Sequence, residues 1–224
     1  MDKELLIQAL TKALSGLVMI CLLLFVPAGT LDYPQAWLFL AVLFIPMIIM
    51  GIILLKKDPE LLRKRLNDKE EEDTQKAVIV MSGLLFLSSF IIAGLNYRFK
   101  WHVLPMGMSY AASVIFLIGY ALYGECMREN AYLSRTVEVQ EDQKVIDTGL
   151  YGIVRHPMYL STLLMFLPMP LILGSFISFV IMTLGYLRVI SVRMKNEEEV
   201  LEEGLKGYKE YKEKVRYKII PYIW

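Results

Sequence analysis

Cysteine and histidine are scarce in this chain, with two of each among 224 residues. Cys21 and Cys126 lie in or near different apolar runs and form neither a C-x-x-C pair nor a metal-ligand spacing, so no disulfide framework and no metal site are expected. Net charge of one sign is also lacking: the formal balance is +1, and the basic residues have no interleaved stacking aromatics, which argues against a nucleic-acid partner. No clear small-x-small cleavage site follows the first apolar stretch, and the N-terminus Met1-Asp2-Lys3-Glu4 is acidic as well as basic, so that stretch reads as a retained helix rather than a removable leader. Charge itself is missing from five long runs, 13–31, 33–55, 77–97, 101–124 and 157–187. A helix needs roughly 20 apolar residues to cross a bilayer, so four of these runs fit one span each and the fifth is too long for one. Runs of this kind exclude a membrane β-barrel, whose strands would alternate weakly over about ten residues.

What is present is a hydrophobic share of 56% beside a charged share of 21%. The expected fold is all-α and polytopic: four transmembrane helices, a C-terminal proline-broken membrane hairpin and a cytoplasmic amphipathic tail helix. Residues 1–128 read as an N-terminal scaffold and 129–224 as the region that carries chemistry. Small residues in the scaffold spans (Ser82, Gly83, Ser88, Ser89, Gly94, Ala111, Ala112, Ser113) would let helices approach closely. No ionisable residue interrupts the four spans, which argues against an ion-coupled transporter.

Basic residues stay on the cytoplasmic side of a membrane, so their distribution orients the chain. Lys3 and Lys12 precede the first span, the connection from Lys56 to Lys76 is rich in Lys and Arg, and 125–156 contributes Arg128, Arg135, Lys144 and Arg155. The intervening connections hold only Asp32 on one occasion and Arg98 with Lys100 on the other. Both termini are therefore expected inside. In the fifth run Pro168-Met169-Pro170 is either a kink or the tip of a hairpin. A single kinked span would leave the basic tail from Arg188 outside, so the hairpin is the expected reading, with one short or re-entrant arm and the other continuing well past Arg188. The tail 200–218 places Val200, Leu201, Leu205, Tyr208, Tyr211 and Val215 at helical spacing, an amphipathic helix that Pro221 would end. The 56–76 connection reads as a mobile or surface-helical loop without a catalytic role.

Unusual residues gather at the base of the hairpin. Gly149 and Gly152 give backbone freedom, Pro157 is placed as the first residue of a helix, and His156 is pushed toward an extended conformation before it. A helix N-terminus flanked by Arg155 and His156 suits an anionic group, although interfacial anchoring by Arg155, Tyr151 and Tyr159 accounts for the same residues equally well. On the other arm Arg193 and Glu197 share a helix face, followed by Glu198 and Glu199; a surface ion pair is the plain reading of this cluster. The hairpin would return both clusters to one side of the membrane.

The pattern Gly149-x-Tyr151, Arg155-His156-Pro157-x-Tyr159, a hydrophobic hairpin, Arg193-x-x-x-Glu197-Glu198-x-x-Leu201 and Gly207-Tyr208-x-x-Tyr211 resembles the isoprenylcysteine carboxyl methyltransferases and related membrane phospholipid methyltransferases. The likeness covers roughly 130–220; Ser161, where many members have glycine, is a minor departure. It implies S-adenosylmethionine as methyl donor, bound without a Rossmann domain, in keeping with the lack of a G-x-G-x-x-G. By the same resemblance Gln140, Gln143, Lys144, Val145, Ile146, Tyr151, His156, Pro157, Met158, Tyr159 and Glu197 would contact the cofactor, and Arg193 would face the substrate, with Arg193 and Glu197 as the catalytic pair. The implied partners are the lipid bilayer and a lipophilic small-molecule or prenylated acceptor. An isoprenoid carboxylate is favoured, with a phospholipid amine, to whose deprotonation Glu197 or Glu198 would contribute, as the alternative. A multi-pass protein of a prokaryotic cell membrane is expected. An NADPH-dependent sterol-reductase-like enzyme and a non-catalytic scaffold are the competing readings.

Overall fold

The structure is a computed structural model that describes residues 3–66, 73–133, 137 and 139–223. The acidic run Glu70-Glu71-Glu72 and the topology residue Arg135 lie outside the described residues. The described chain is helical, with a lone Val103–Ser175 bridge as its β-type pairing. Five helices are long and apolar enough to cross a bilayer: α1 (Lys3–Ala28), α2 (Pro34–Lys57), α4 (Asp73–Phe99), α5 (Met106–Glu129) and α8 (Phe176–Gly204). Shorter helices complete the set: α3 (Pro59–Leu66), α6 (Pro157–Phe166), α7 (Met169–Ile172) and α9 (Tyr208–Lys214). A 3₁₀ turn at Gly149–Gly152 precedes α6.

The four expected spans are thus helices. Their outward faces carry exposed Leu, Ile and Val, such as Leu14, Ile48, Leu84 and Val114, as a lipid-facing surface requires. Inside, α1 packs along α4, α4 along α8 and α5 along α6. Gly94 sits against the α1 backbone, where an added Cβ would lie 2.6 Å from the Leu24 carbonyl oxygen. Gly119 plays the same part between α5 and α6, where a Cβ would meet Leu164 at 2.8 Å and the Ser161 carbonyl at 2.9 Å. Gly83, also expected at a helix contact, faces open space instead. Ser89 and Ser178 join α4 to α8 through a buried hydroxyl pair at 2.6 Å.

The hairpin has one short and one long arm. Tyr159 on α6 bonds Glu197 on α8, and Phe166 packs edge-to-face on Tyr186 at 5.2 Å, so the arms run antiparallel. The prolines do not form its tip. Pro168 and Pro170 divide the short arm into α6 and α7, and the chain reverses at Leu173-Gly174-Ser175, where Gly174 takes φ +71°. Glycine reaches that left-handed region without the steric cost that proline's fixed φ forbids outright. Tyr33 pins this turn, its fully buried hydroxyl donating to the Leu173 carbonyl at 2.6 Å.

The tail differs from one continuous amphipathic helix. The long arm of the hairpin ends at Gly204, Gly207 adopts φ +88°, and α9 follows as a separate short helix. Leu205, Tyr208, Tyr211 and Val215 still face one way, and they pack on Val139, Val145 and Leu201 rather than on a membrane surface. Beyond α9 the chain runs back to the hairpin base, where Arg155 and His156 donate backbone N–H bonds to Tyr217 and Lys218 at 2.9 and 2.8 Å. In the 56–76 connection, α3 buries Leu61 and Leu62 against Leu5, Leu54 and Met127.

Candidate functional site

A cleft of about 920 Å³, including its open mouth, lies where the 3₁₀ turn, the start of α6, the end of α8 and α9 meet. Its position follows from local chemistry. Pro157 opens α6, and His156 before it takes φ −127° and ψ 62°, outside the helical region that proline disfavours for the residue preceding it and short of the fully extended backbone expected there. Gly149 takes φ +54°, and the Glu129 carboxylate occupies the space a Cβ would need, 1.8 Å from its ideal position. That carboxylate accepts the Leu150 N–H at 2.8 Å, so the end of α5 holds the turn that presents Tyr151.

Of the residues the family pattern proposes, Gln143, Lys144, Val145, Ile146, Tyr151, His156, Met158, Tyr159, Arg193 and Glu197 line this cleft. Gln140 and Pro157 are not among its lining residues. Gln140 braces the loop, its side-chain amide donating to the Tyr132 carbonyl at 2.6 Å and its backbone N–H to Gln143 Oε1 at 2.8 Å. Pro157 is fully buried at the first turn of α6. The Tyr159 hydroxyl donates to Glu197 Oε2, tying the two arms together inside the cleft.

Arg155, also in the cleft lining, is engaged within the protein. It is 6% exposed, donates to Glu198 Oε1 at 2.9 Å, and donates again to the Val215 and Arg216 carbonyls at 2.8 and 2.9 Å. Glu198 also lies 3.2 Å from His156 Nε2 and 2.9 Å from Lys218 Nζ, and it is 5% exposed. With its oxygens so engaged, Glu198 is a strut and not a free base. Glu199 is exposed and lies 3.7 Å from Lys195.

Sequence reasoning missed Asn130, Tyr132, Leu201, Leu205, Tyr208 and Tyr211 as cleft-lining residues. The tail residues had a visible signal, because their helical periodicity marks a buried face; what it faces was not legible. Tyr211 donates its hydroxyl to the Tyr151 carbonyl at 2.7 Å. The hydroxyl oxygens of Tyr151 and Tyr208 are buried in the cleft wall; that of Tyr208 has no hydrogen-bond partner in the protein, and that of Tyr151 faces the Asn130 side chain. Burial pushes both phenols above their ordinary range, with the Glu197 and Glu198 charges adding to this at Tyr208, so both stay protonated donors. An orphaned buried hydroxyl costs about 1–3 kcal/mol, which a polar ligand supplying an acceptor would offset. Among the described residues no group of His, Cys, Asp and Glu is arranged to hold a metal.

The chain is 24% identical over 139 residues to the Delta(14)-sterol reductase TM7SF2 of Mus musculus, an alignment covering 55% of this chain and 33% of that protein, so the chain spans about a third of that relative's length. Residues 111–203, from the first half of α5 to the last turn of α8, match the Isoprenylcysteine carboxyl methyltransferase (ICMT) family, and this supports the family resemblance that the motif residues carry.

Proposed function

We propose that this protein is a membrane-embedded methyltransferase that uses S-adenosylmethionine to methylate a lipophilic acceptor, most simply the carboxylate of an isoprenoid-like molecule. The observation that carries the reading is the meeting, in one cleft, of the Arg155-His156-Pro157-x-Tyr159 arm and the Arg193/Glu197 arm, with Tyr151 and Tyr208 in its wall. Such donors suit the carboxylate, ribose and ring acceptors of a nucleoside-amino acid cofactor. Gln143 to Ile146, Tyr151, His156, Met158, Tyr159 and Glu197 would hold it, and its sulfonium supplies a methyl group that is already electrophilic.

Little covalent work is then left to the protein. A carboxylate acceptor is ionised at neutral pH and needs no general base. Arg193 orients it through paired N–H donors, while the cleft wall holds donor and acceptor in line and excludes water. Residues 129–224 supply these groups and the N-terminal helices the scaffold. The site lies on the cytoplasmic side, so the polar cofactor arrives from the cytosol and the acceptor from the bilayer.

The test is transfer of label from methyl-labelled S-adenosylmethionine to membrane lipids and prenylcysteine analogues. Arg193→Ala is expected to lower turnover by about 10–100-fold, the worth of charged hydrogen bonds to the reacting group. Wild-type turnover in both Arg193→Ala and Glu197→Ala would overturn the assignment. The likeness to a sterol reductase favours one second reading, a nicotinamide-dependent reductase. Calorimetry with NADPH against S-adenosylmethionine separates the two.

A further inference from the structure

Past α9 the tail returns along the base of the hairpin, and its contacts there fall on two residues. The four consecutive carbonyls of Val215, Arg216, Tyr217 and Lys218 all accept hydrogen bonds from Arg155 and His156. The first two are held by the Arg155 side chain at 2.8 and 2.9 Å, the last two by the backbone N–H groups of Arg155 and His156 at 2.9 and 2.8 Å. Ile219, the next residue, is fully buried among Tyr159 and Leu163 of α6 and Ile190 and Met194 of α8. A slip of one residue would pull Ile219 out of that cluster and break the row of bonds, so the register of this strap is fixed.

Lys218 is the residue through which the strap bears on the cleft. Its carbonyl accepts the His156 N–H, and its Nζ lies 2.9 Å from Glu198 Oε2. The other carboxylate oxygen, Oε1, accepts from Arg155 Nε at 2.9 Å and lies 3.2 Å from His156 Nε2. The last torsion of a glutamate is soft, so a carboxylate engaged at one oxygen can swing, whereas one engaged at both is held. Lys218 therefore acts on His156 at both ends, on the backbone directly and on the ring through Glu198. That ring lines the cleft, with its centroid 5.4 Å from that of Tyr159. The Glu198 side chain is 7% exposed, so its ion pair is little screened, while that of Lys218 is 33% exposed and can lose its ammonium without opening the core.

We propose that Lys218 is a positioning residue of the site: through Glu198 and through its own carbonyl it fixes the place of the His156 ring in the cleft wall, and with it the affinity for S-adenosylmethionine. This rests on the methyltransferase reading, in which His156 contacts the cofactor, and deepens it by making the C-terminal strap part of the site. Charge balance for a buried carboxylate, the plainer role for Lys218, would affect stability and leave the His156 ring where it is.

The chain holds two histidines, His156 in the cleft and His102 at the far end of the bundle, so histidine-selective ¹⁵N labelling of the full chain in detergent gives two sets of ring signals, assigned with His102→Gln. Lys218→Met keeps the carbonyl and the side-chain stem and removes the ammonium. It should move the His156 signals, leave those of His102 in place, and raise the Kd for S-adenosylmethionine in calorimetry about 3–10-fold, the effect of slackening a charged hydrogen bond at one remove. Lys218→Arg should recover most of that affinity, and Lys209→Met, at an exposed position of α9, should bind like the wild type. In turnover assays Lys218→Met should raise KM for S-adenosylmethionine while leaving KM for the acceptor unchanged. Where Lys218→Met fails to fold, Lys218→Gln is used in its place. Unmoved His156 signals or wild-type affinity in the folded variant overturns the proposal, as does an equal loss of affinity in Lys218→Arg. A wild type that binds no S-adenosylmethionine would instead overturn the methyltransferase reading, and the histidine signals would still report whether Lys218 positions His156.

Discussion

Glu198 accepts from Arg155 and Lys218 and lies within hydrogen-bond distance of His156, and these contacts tie the long arm, the hairpin base and the tail together. Removing one partner of a buried ion pair strands the others, at a cost of about 3–5 kcal/mol. Glu198→Ala should therefore lower the unfolding midpoint sharply, whereas Glu199→Ala, at an exposed position, should leave it within experimental scatter; thermal denaturation in detergent reads both. The two tail tyrosines divide differently. Tyr211→Phe removes a bond to the Tyr151 carbonyl and should cost about 1 kcal/mol of stability. Tyr208→Phe removes a hydroxyl that has no protein partner, so stability should hold or rise while S-adenosylmethionine affinity falls about 3–10-fold. Calorimetry on the pair separates a ligand-facing hydroxyl from a structural one. None of this was visible in sequence, where Glu197 and Glu198 are adjacent and chemically alike. Successive residues on a helix point about 100° apart, and here one turns to the cleft and the other to the strut.

At the level of elements the long charge-free runs were legible, because a bilayer requires a continuous apolar helix and the sequence has no other way to satisfy its backbone. The hairpin was legible from charge and length together, since a single span would strand the basic tail. Its turning point was not. Pro168-Met169-Pro170 looks like a stronger break than Leu173-Gly174-Ser175, yet proline fits the start of a new short helix, and the positive φ of the reversal falls to Gly174. The tail helix was misjudged for a similar reason: spacings of four, three, three and four from Leu201 to Val215 keep one helical face in register across a break at Gly207. The glycines offer the sharpest test at this scale. Gly149→Ala must adopt a left-handed φ and displace the Glu129 carboxylate from the Leu150 N–H, so a loss of about 2 kcal/mol or more is expected together with displacement of Tyr151 from the cleft wall. Gly83→Ala, in open space and at a helical φ, should be neutral or slightly stabilising. Chemical denaturation of both variants against wild type checks the contrast.

For the whole molecule, the site and nearly all of the charge lie at one end of the bundle. The helix connections at the far end, around Gly29 to Tyr33, Arg98 to Pro105 and Leu173 to Ser175, carry Asp32, Arg98 and Lys100 as their charged residues and are closed by the Asn96, His102 and Gly174 hydrogen bonds. The site end holds α3, residues 129–133 and 139–156, and the described part of the tail. Because Lys and Arg are retained on the cytoplasmic side during insertion, this asymmetry predicts the cleft inside the cell and the Gly29–Asp32 connection outside. The prediction can be read by replacing Cys21 and Cys126 with Ser and adding a single cysteine at the exposed Thr30 or the exposed Lys209. A membrane-impermeant thiol reagent applied to intact cells should label Thr30→Cys and spare Lys209→Cys until the membrane is opened. The reverse pattern would put the cleft on the outer face, away from cytosolic S-adenosylmethionine, and the proposed reaction would lose its cofactor supply along with the proposed orientation.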